Sequence, residues 1–94
     1  MATVWVPALL RDLTGGQARV TAPGRTVRQV IANLEAAYPG FRDRLCQGDD
    51  VNLHFAVVVD GQVSRLRMLE EVSENGEIQF VPAIHGGGNG GASG

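Results

Sequence analysis

Few side chains in this 94-residue chain are of a type that does chemistry, and they do not stand together. Cys46 is the one thiol, so it forms no internal disulfide, and with no base beside it in sequence it reads as a packing residue and not a nucleophile. His54 falls in a strand-like run with no second histidine, cysteine or carboxylate at ligand spacing, so no metal site is expected. Glu70, Glu71, Glu74 and Glu77 form an acidic set that reads as a solvated edge. No nucleophile is paired with a base, which predicts a protein that is not an enzyme with its own active site. One compositional bias stands at the chain end: six of the thirteen glycines fall in the last ten residues, HGGGNGGASG. Glycine has no Cβ, so such a backbone is slender and adopts torsions denied to other residues. Taken alone, the same tail reads equally as a linker or a remnant of expression.

Composition narrows the classes. At this length the chain is one domain, and a domain so small buries only roughly 60–65% of the surface its unfolded chain exposes. A deep catalytic cleft would compete with the core for material. Hydrophobic residues make up 44% and charged residues 19%, with a net charge of −2, so the basic footprint of a nucleic-acid binder is missing. No apolar run approaches the ~20 residues of a membrane span. The opening MATVWVPALLRDL has no basic start, long apolar stretch or cleavage site, which predicts no signal peptide and a cytoplasmic protein. All eight basic residues are arginine. GC-rich coding accounts for that bias; its consequence is that no lysine amine is available within the chain.

The elements that must position the tail follow from periodicity. Thr3–Pro7 alternates, with Val4 and Val6 on one face and Trp5 on the other, and reads as a strand closed by Pro7. Gly15-Gly16 turns the chain, and Gln17–Ala22 returns as a second strand of a hairpin before Pro23-Gly24 breaks it. Thr26 and Gln29 form a capping box, behind which Val27, Val30, Ile31, Leu34 and Tyr38 make one apolar stripe at helical period. The spacing predicts a helix over about 27–38, stopped by Pro39-Gly40. Phe41–Cys46 reads as one short helical turn with Phe41 and Leu45 tucked beneath the main helix, and 47–52 as polar loop. Leu53–Val59 reads as an inner strand, turned by Asp60-Gly61 into Gln62–Ser64. Residues 65–73 are irregular, anchored by Leu66, Met68, Leu69 and Val72; Asn75-Gly76 makes a tight turn; Glu77–Val81 is the last strand, ended by Pro82. One helix with one apolar stripe needs one sheet to cover it. The expected class is therefore α+β: a ubiquitin-like β-grasp with a mixed four- to five-stranded sheet packed on one main helix. The domain is expected over 1–87, with 88–94 a flexible Gly-rich extension.

The tail leaves the last strand directly, as IQFVPAIHGG. Together with VPALLRDLTGGQ, TVRQVIANLEAAYPGF, VVVDG and NGEIQFVPAIHGG, in that order and spacing, it makes the chain resemble the MoaD/ThiS family of ubiquitin-like sulfur carriers over residues 3–87. Within that family it is similar to the sulfur carrier of actinobacterial cysteine biosynthesis, with the same T-G-G-Q and L-E-A-x-Y pattern. The resemblance implies that Gly87, preceded by Gly86, is the site of adenylation and thiocarboxylate formation, with Gly91 as an alternative. It implies no bound cofactor, ATP being used by an adenylating, sulfur-transferring activating enzyme. Further implied partners are a sulfur-accepting enzyme, PLP-dependent and cysteine synthase-like or other, and a JAMM-type metalloprotease that processes the tail. No nucleic acid or membrane is implied. Other branches stay open: a protein modifier conjugated to lysines, the small subunit of molybdopterin synthase, or a binding module with an inert tail.

Three departures from the family pattern stand out. Seven residues, GNGGASG, follow Gly87 and block its carboxylate, so either a protease removes them or they are an artefact of expression. Asn75-Gly76 stands where relatives often have an Asp-Gly-Asp turn. His85 replaces the small residue common before the glycines; it either contacts the activating enzyme or a processing protease, or is a solvated tail residue. If Val4, Val6, Ile78 and Phe80 face the helix, alternation puts Trp5, Gln79 and Val81 on the open face of the sheet, beside Pro82, Ile84 and His85. This is the expected partner-binding surface. A register slip would bury Trp5 instead. From Ile84 to Gly87 the extended tail reaches about 13 Å beyond the domain.

Overall fold

Alternation in the first residues does build a strand. β1 spans Ala2–Trp5, buries Ala2 and Val4, and is followed by buried Val6. Pro7 leads into a 3₁₀ turn, Ala8–Thr14, and the chain returns as β2 (Arg19–Ala22), paired antiparallel to β1 with Val4 opposite Val20. The computed structural model describes residues 1–83, and the fold is that of these residues.

Helix α1 covers Val27–Ala37, with Tyr38 as its C-terminal cap. Its stripe is the predicted one: Val27, Val30, Ile31 and Leu34 are fully buried, and Tyr38 packs at the edge of the core. Each such side chain contributes about 1.5–3 kcal/mol by leaving water. Thr26 Oγ1 accepts the Gln29 N–H at 3.2 Å, as a capping box requires. The reciprocal bond is shifted by one residue, because Gln29 Oε1 accepts from the Arg25 N–H at 2.8 Å. The short helix α2 (Phe41–Leu45) follows, and its two buried residues are the expected Phe41 and Leu45. Its exposed amino end is closed by Glu35, whose carboxylate accepts from the Gly40 and Arg42 N–H groups at 3.1 and 2.8 Å.

The expected loop over 47–52 is in fact a small ribbon, β3 (Cys46–Gln47) against β4 (Asp50–Val51). Val51 is buried, and that anchor is what draws the polar stretch into register. Strand β5 spans Phe55–Val59 and so starts two residues later than expected. Leu53 is 68% exposed, and the Asn52 side chain turns the chain by accepting the His54 N–H. Asp60 and Gly61 both take positive φ, 51° and 82°, the conformation that suits a two-residue hairpin turn, and β6 (Gln62–Val63) pairs back on β5. Of the four proposed anchors over 65–73, Met68 and Val72 are buried, but Leu66 and Leu69 are 59% and 63% exposed. The 3₁₀ turn Arg67–Leu69 explains this, since it sends neighbouring side chains to opposite sides. The turn before the last strand centres on Glu74 and Asn75, the Gly76 N–H donating to Ser73 O. β7 then runs from Glu77 to Pro82.

The five long-range strands form one sheet in the order β2-β1-β7-β5-β6, with β1 and β7 parallel and the other pairs antiparallel. The core lies between this sheet and the two helices. This is the β-grasp arrangement, and the last described strand, β7, is the central one of its sheet.

Candidate functional site

The sheet delivers the chain end from its most constrained position. β7 is hydrogen bonded on one side to β1 and on the other to β5, with register Thr3–Glu77, Val4–Ile78 and Trp5–Gln79 against β1 and Phe55–Pro82 through Val59–Ile78 against β5. Pro82 occupies the last ladder position, where a missing N–H costs nothing. One further bond continues the ladder: the Ala83 N–H donates to His54 O at 2.8 Å. The root of the tail is thus fixed beside the start of β5. Ile84, His85, Gly86, Gly87 and Gly91 lie outside the described residues, as does the extension 88–94.

Alternation sorts the side chains as expected. Val4, Val6, Ile78 and Phe80 are buried toward the helices, whereas Trp5, Gln79 and Val81 are half-buried on the open face; no register slip hides Trp5 in the core. The pairings set Arg19, Trp5, Gln79, Val58 and Val63 in one row across all five strands, with Val81 and Ala56 in the row toward the tail. The Arg19 guanidinium carbon lies 5.5 Å from the Trp5 ring centroid, a cation–π contact that holds the indole against the sheet. Trp5 Nε1 is covered and has no hydrogen-bond partner. Pro82 is exposed at the end of the same strand.

Val58, Ala56 and Val63 were absent from the predicted surface. Val63 is 71% exposed, so the apolar patch extends to the sheet edge. The signal was available in sequence: the Asp60-Gly61 turn places Val63 opposite Val58, and period-two alternation places Val58 on the face away from Val57. A second apolar feature, also unread in sequence, is a shallow dent at the tail's root lined by Leu9, Leu10, Phe55 and His54, with Arg44 and Asn52 at its margin. Arg44 is held there by Asp12 at 2.7 Å.

The other chemistry-bearing residues stay apart. Cys46 is half-buried, and burial raises its thiol pKa while nearby Arg42 pulls the other way, so at neutral pH it is a thiol and a poor nucleophile. His54 is exposed, and among the described residues no cluster of three or more histidine, cysteine or carboxylate groups could hold a metal ion. Glu71, Glu74 and Glu77 are exposed, whereas Glu70 is half-buried and accepts the Ser64 hydroxyl at 2.6 Å. Glu70, Glu71 and Glu74 rim an open groove with Asp60 and Met1, at the end of the sheet opposite the tail. No helix among the described residues is long and apolar enough to cross a membrane.

The central strand thus carries the chain to Ala83, beside an open sheet face that bears a tryptophan. The family model described as the ThiS family matches residues 4–87. The chain belongs to the ThiS family. The matched span ends at Gly87, the residue singled out from the sequence. Among the relatives of this ThiS-family chain are the sulfur carrier proteins CysO of Mycobacterium tuberculosis and Mycobacterium bovis, each 33% identical over 90 residues, 90% of this chain and 97% of the relative. Among solved structures, the Amycolatopsis orientalis BexX/CysO complex contains a chain that superposes with a TM-score of 0.83 at 30% identity, covering 93% of this chain and all of that one. CysO of Mycobacterium tuberculosis superposes at 0.82 with 29% identity, over 89% of this chain and all of that one. The small archaeal modifier protein 1 of Methanosarcina acetivorans reaches 0.72 at 21% identity, over 92% of this chain and 95% of that one, which speaks to the fold alone.

Proposed function

We propose that this ThiS-family chain is a sulfur carrier whose reactive group is the carboxylate of Gly87, and that it acts as a co-substrate of other enzymes. The observation that carries this reading is the family match ending at Gly87, on a chain whose tail root is fixed to the central strand of the sheet. In the first step the Gly87 carboxylate attacks the α-phosphorus of ATP on an activating enzyme and pyrophosphate leaves. Sulfide then attacks the acyl carbon, AMP leaves, and the C-terminal acid has become a thiocarboxylate. Thiocarboxylate is the better nucleophile at neutral pH, and it passes its sulfur to an acceptor; the kinship with CysO favours cysteine synthesis on a PLP-dependent enzyme. Before any of this, residues 88–94 are removed, the work of a JAMM-type metalloprotease.

The open face supplies the docking surface in this reading. Trp5 and Val81 provide anchors with little rotamer entropy to lose, Gln79 a hydrogen-bonding group between them, and Pro82, Ile84 and His85 continue the contact along the tail. Gly86 and Gly87 keep the last stretch free of Cβ atoms for a narrow channel.

The test uses the chain ending at Gly87, incubated with an activating enzyme of the family, ATP and sulfide, and read by intact mass. A gain equal to one sulfur replacing one oxygen is expected. Adducts on lysines of other proteins with no such gain would point to a protein modifier, and an unchanged mass to an inert tail; either result contradicts the carrier.

A further inference from the structure

Several bonds converge on Arg67, at the side of the sheet where the tail begins. It opens its 3₁₀ turn with φ of 53°, a left-handed backbone that residues bearing a Cβ rarely adopt. Its side chain is only 20% exposed and reaches across the β4–β5 connection. One terminal nitrogen donates to Phe55 O at 3.1 Å, and the other to Val51 O at 2.8 Å and Asn52 O at 3.2 Å. Nε stands 3.5 Å from Asp50 Oδ1, an ion-pair contact without hydrogen-bond geometry. The backbone that launches this side chain is itself held, since the Arg67 N–H donates to Ser64 Oγ, which donates in turn to Glu70.

The clamped segment contains the acceptor that holds the tail. His54 lies between Asn52 and Phe55, and its carbonyl receives the Ala83 N–H at 2.8 Å. A planar guanidinium can serve several carbonyls at fixed angles, which a single ammonium cannot. We propose that Arg67 is a positioning residue for the tail: by gripping the carbonyls on both sides of His54 it fixes the anchor of Ala83, and so the point from which the tail is offered to a partner. The partner half of this proposal rests on the sulfur-carrier reading; the tether does not.

The test compares the full chain with Arg67→Gln and Arg67→Lys by amide hydrogen exchange. In Arg67→Gln the Ala83 amide should exchange roughly tenfold faster, the size expected for loosening one hydrogen bond, while Ile31 and Leu34 in α1 keep their rates. Arg67→Lys should restore part of the protection. In the activation assay on chains ending at Gly87, Arg67→Gln should raise the KM for the carrier roughly tenfold and leave kcat unchanged, the mark of lost uniform binding. Unchanged Ala83 protection overturns the proposal, and so does a loss shared equally by Ile31, which would mean general loosening. Should the native chain itself never be adenylated, the carrier reading fails, and the exchange rates alone decide the tether.

Discussion

Trp5 gathers three effects at one position. Its cross-strand neighbours are Arg19 on one side and Gln79 on the other, its ring is covered from above by the Arg19 guanidinium, and it remains partly exposed on the open face. An aromatic held this way loses little entropy when a partner covers it, which is why such residues dominate interface energetics. Trp5→Ala should therefore weaken binding to the activating enzyme roughly tenfold or more, measured by titration. The thermal midpoint of the variant, followed by circular dichroism, separates lost docking from lost folding. This pairing was legible once Trp5 was placed opposite Val4 and Val6 in alternation. The Arg19 contact was not, because it depends on the hairpin register, and Gly15-Gly16 leaves that register open until the turn is seen. Arg67 was illegible for a related reason: its three acceptors are backbone carbonyls, which every residue possesses and no sequence pattern marks.

Elements were legible where one periodicity acted alone. The α1 stripe and the Thr26 cap could be read directly, since spacing and capping chemistry agree. The stretches 47–54 and 65–69 could not, because such short runs hold too few residues to show a period and their shape is dictated by single buried anchors, Val51 and Met68. Two junctions can be tested. Gly24 adopts φ of 148°, and a Cβ there would fall 2.7 Å from the Val30 backbone nitrogen and 2.8 Å from its Cγ2. Backbone cannot yield as a flexible side chain would, so Gly24→Ala should cost about 1–3 kcal/mol of stability by urea denaturation. The second junction is the Glu35 carboxylate, which is held below the usual carboxylate range first by the Arg42 N–H bond and then by that of Gly40. With its folded pKa depressed, the stability it contributes is present above the unfolded value, about 4.3, and is lost as pH falls through the folded one. Glu35→Gln should thus be less stable than the native chain near neutral pH, with the gap closing as the solution is acidified below that range. A gap independent of pH would contradict the role of the charge.

For the whole molecule, the order of elements was enough to expect a β-grasp, because one helix with one apolar stripe admits few coverings. What the order alone left open was how the chain is held up to Ala83, and the structure answers that through the central position of β7 and the Ala83–His54 bond. A sheet built this way is a rigid base: in the proposed reading a partner would grip the open face, and the tail would start from the fixed point at Ala83. For a sulfur carrier, this end must be a free Gly87 acid available for sulfur. Intact mass of the protein isolated from its own cells tests that most directly. A chain terminating at Gly87, part of it heavier by the exchange of one oxygen for sulfur, is predicted; a population that uniformly retains residues 88–94 would contradict it.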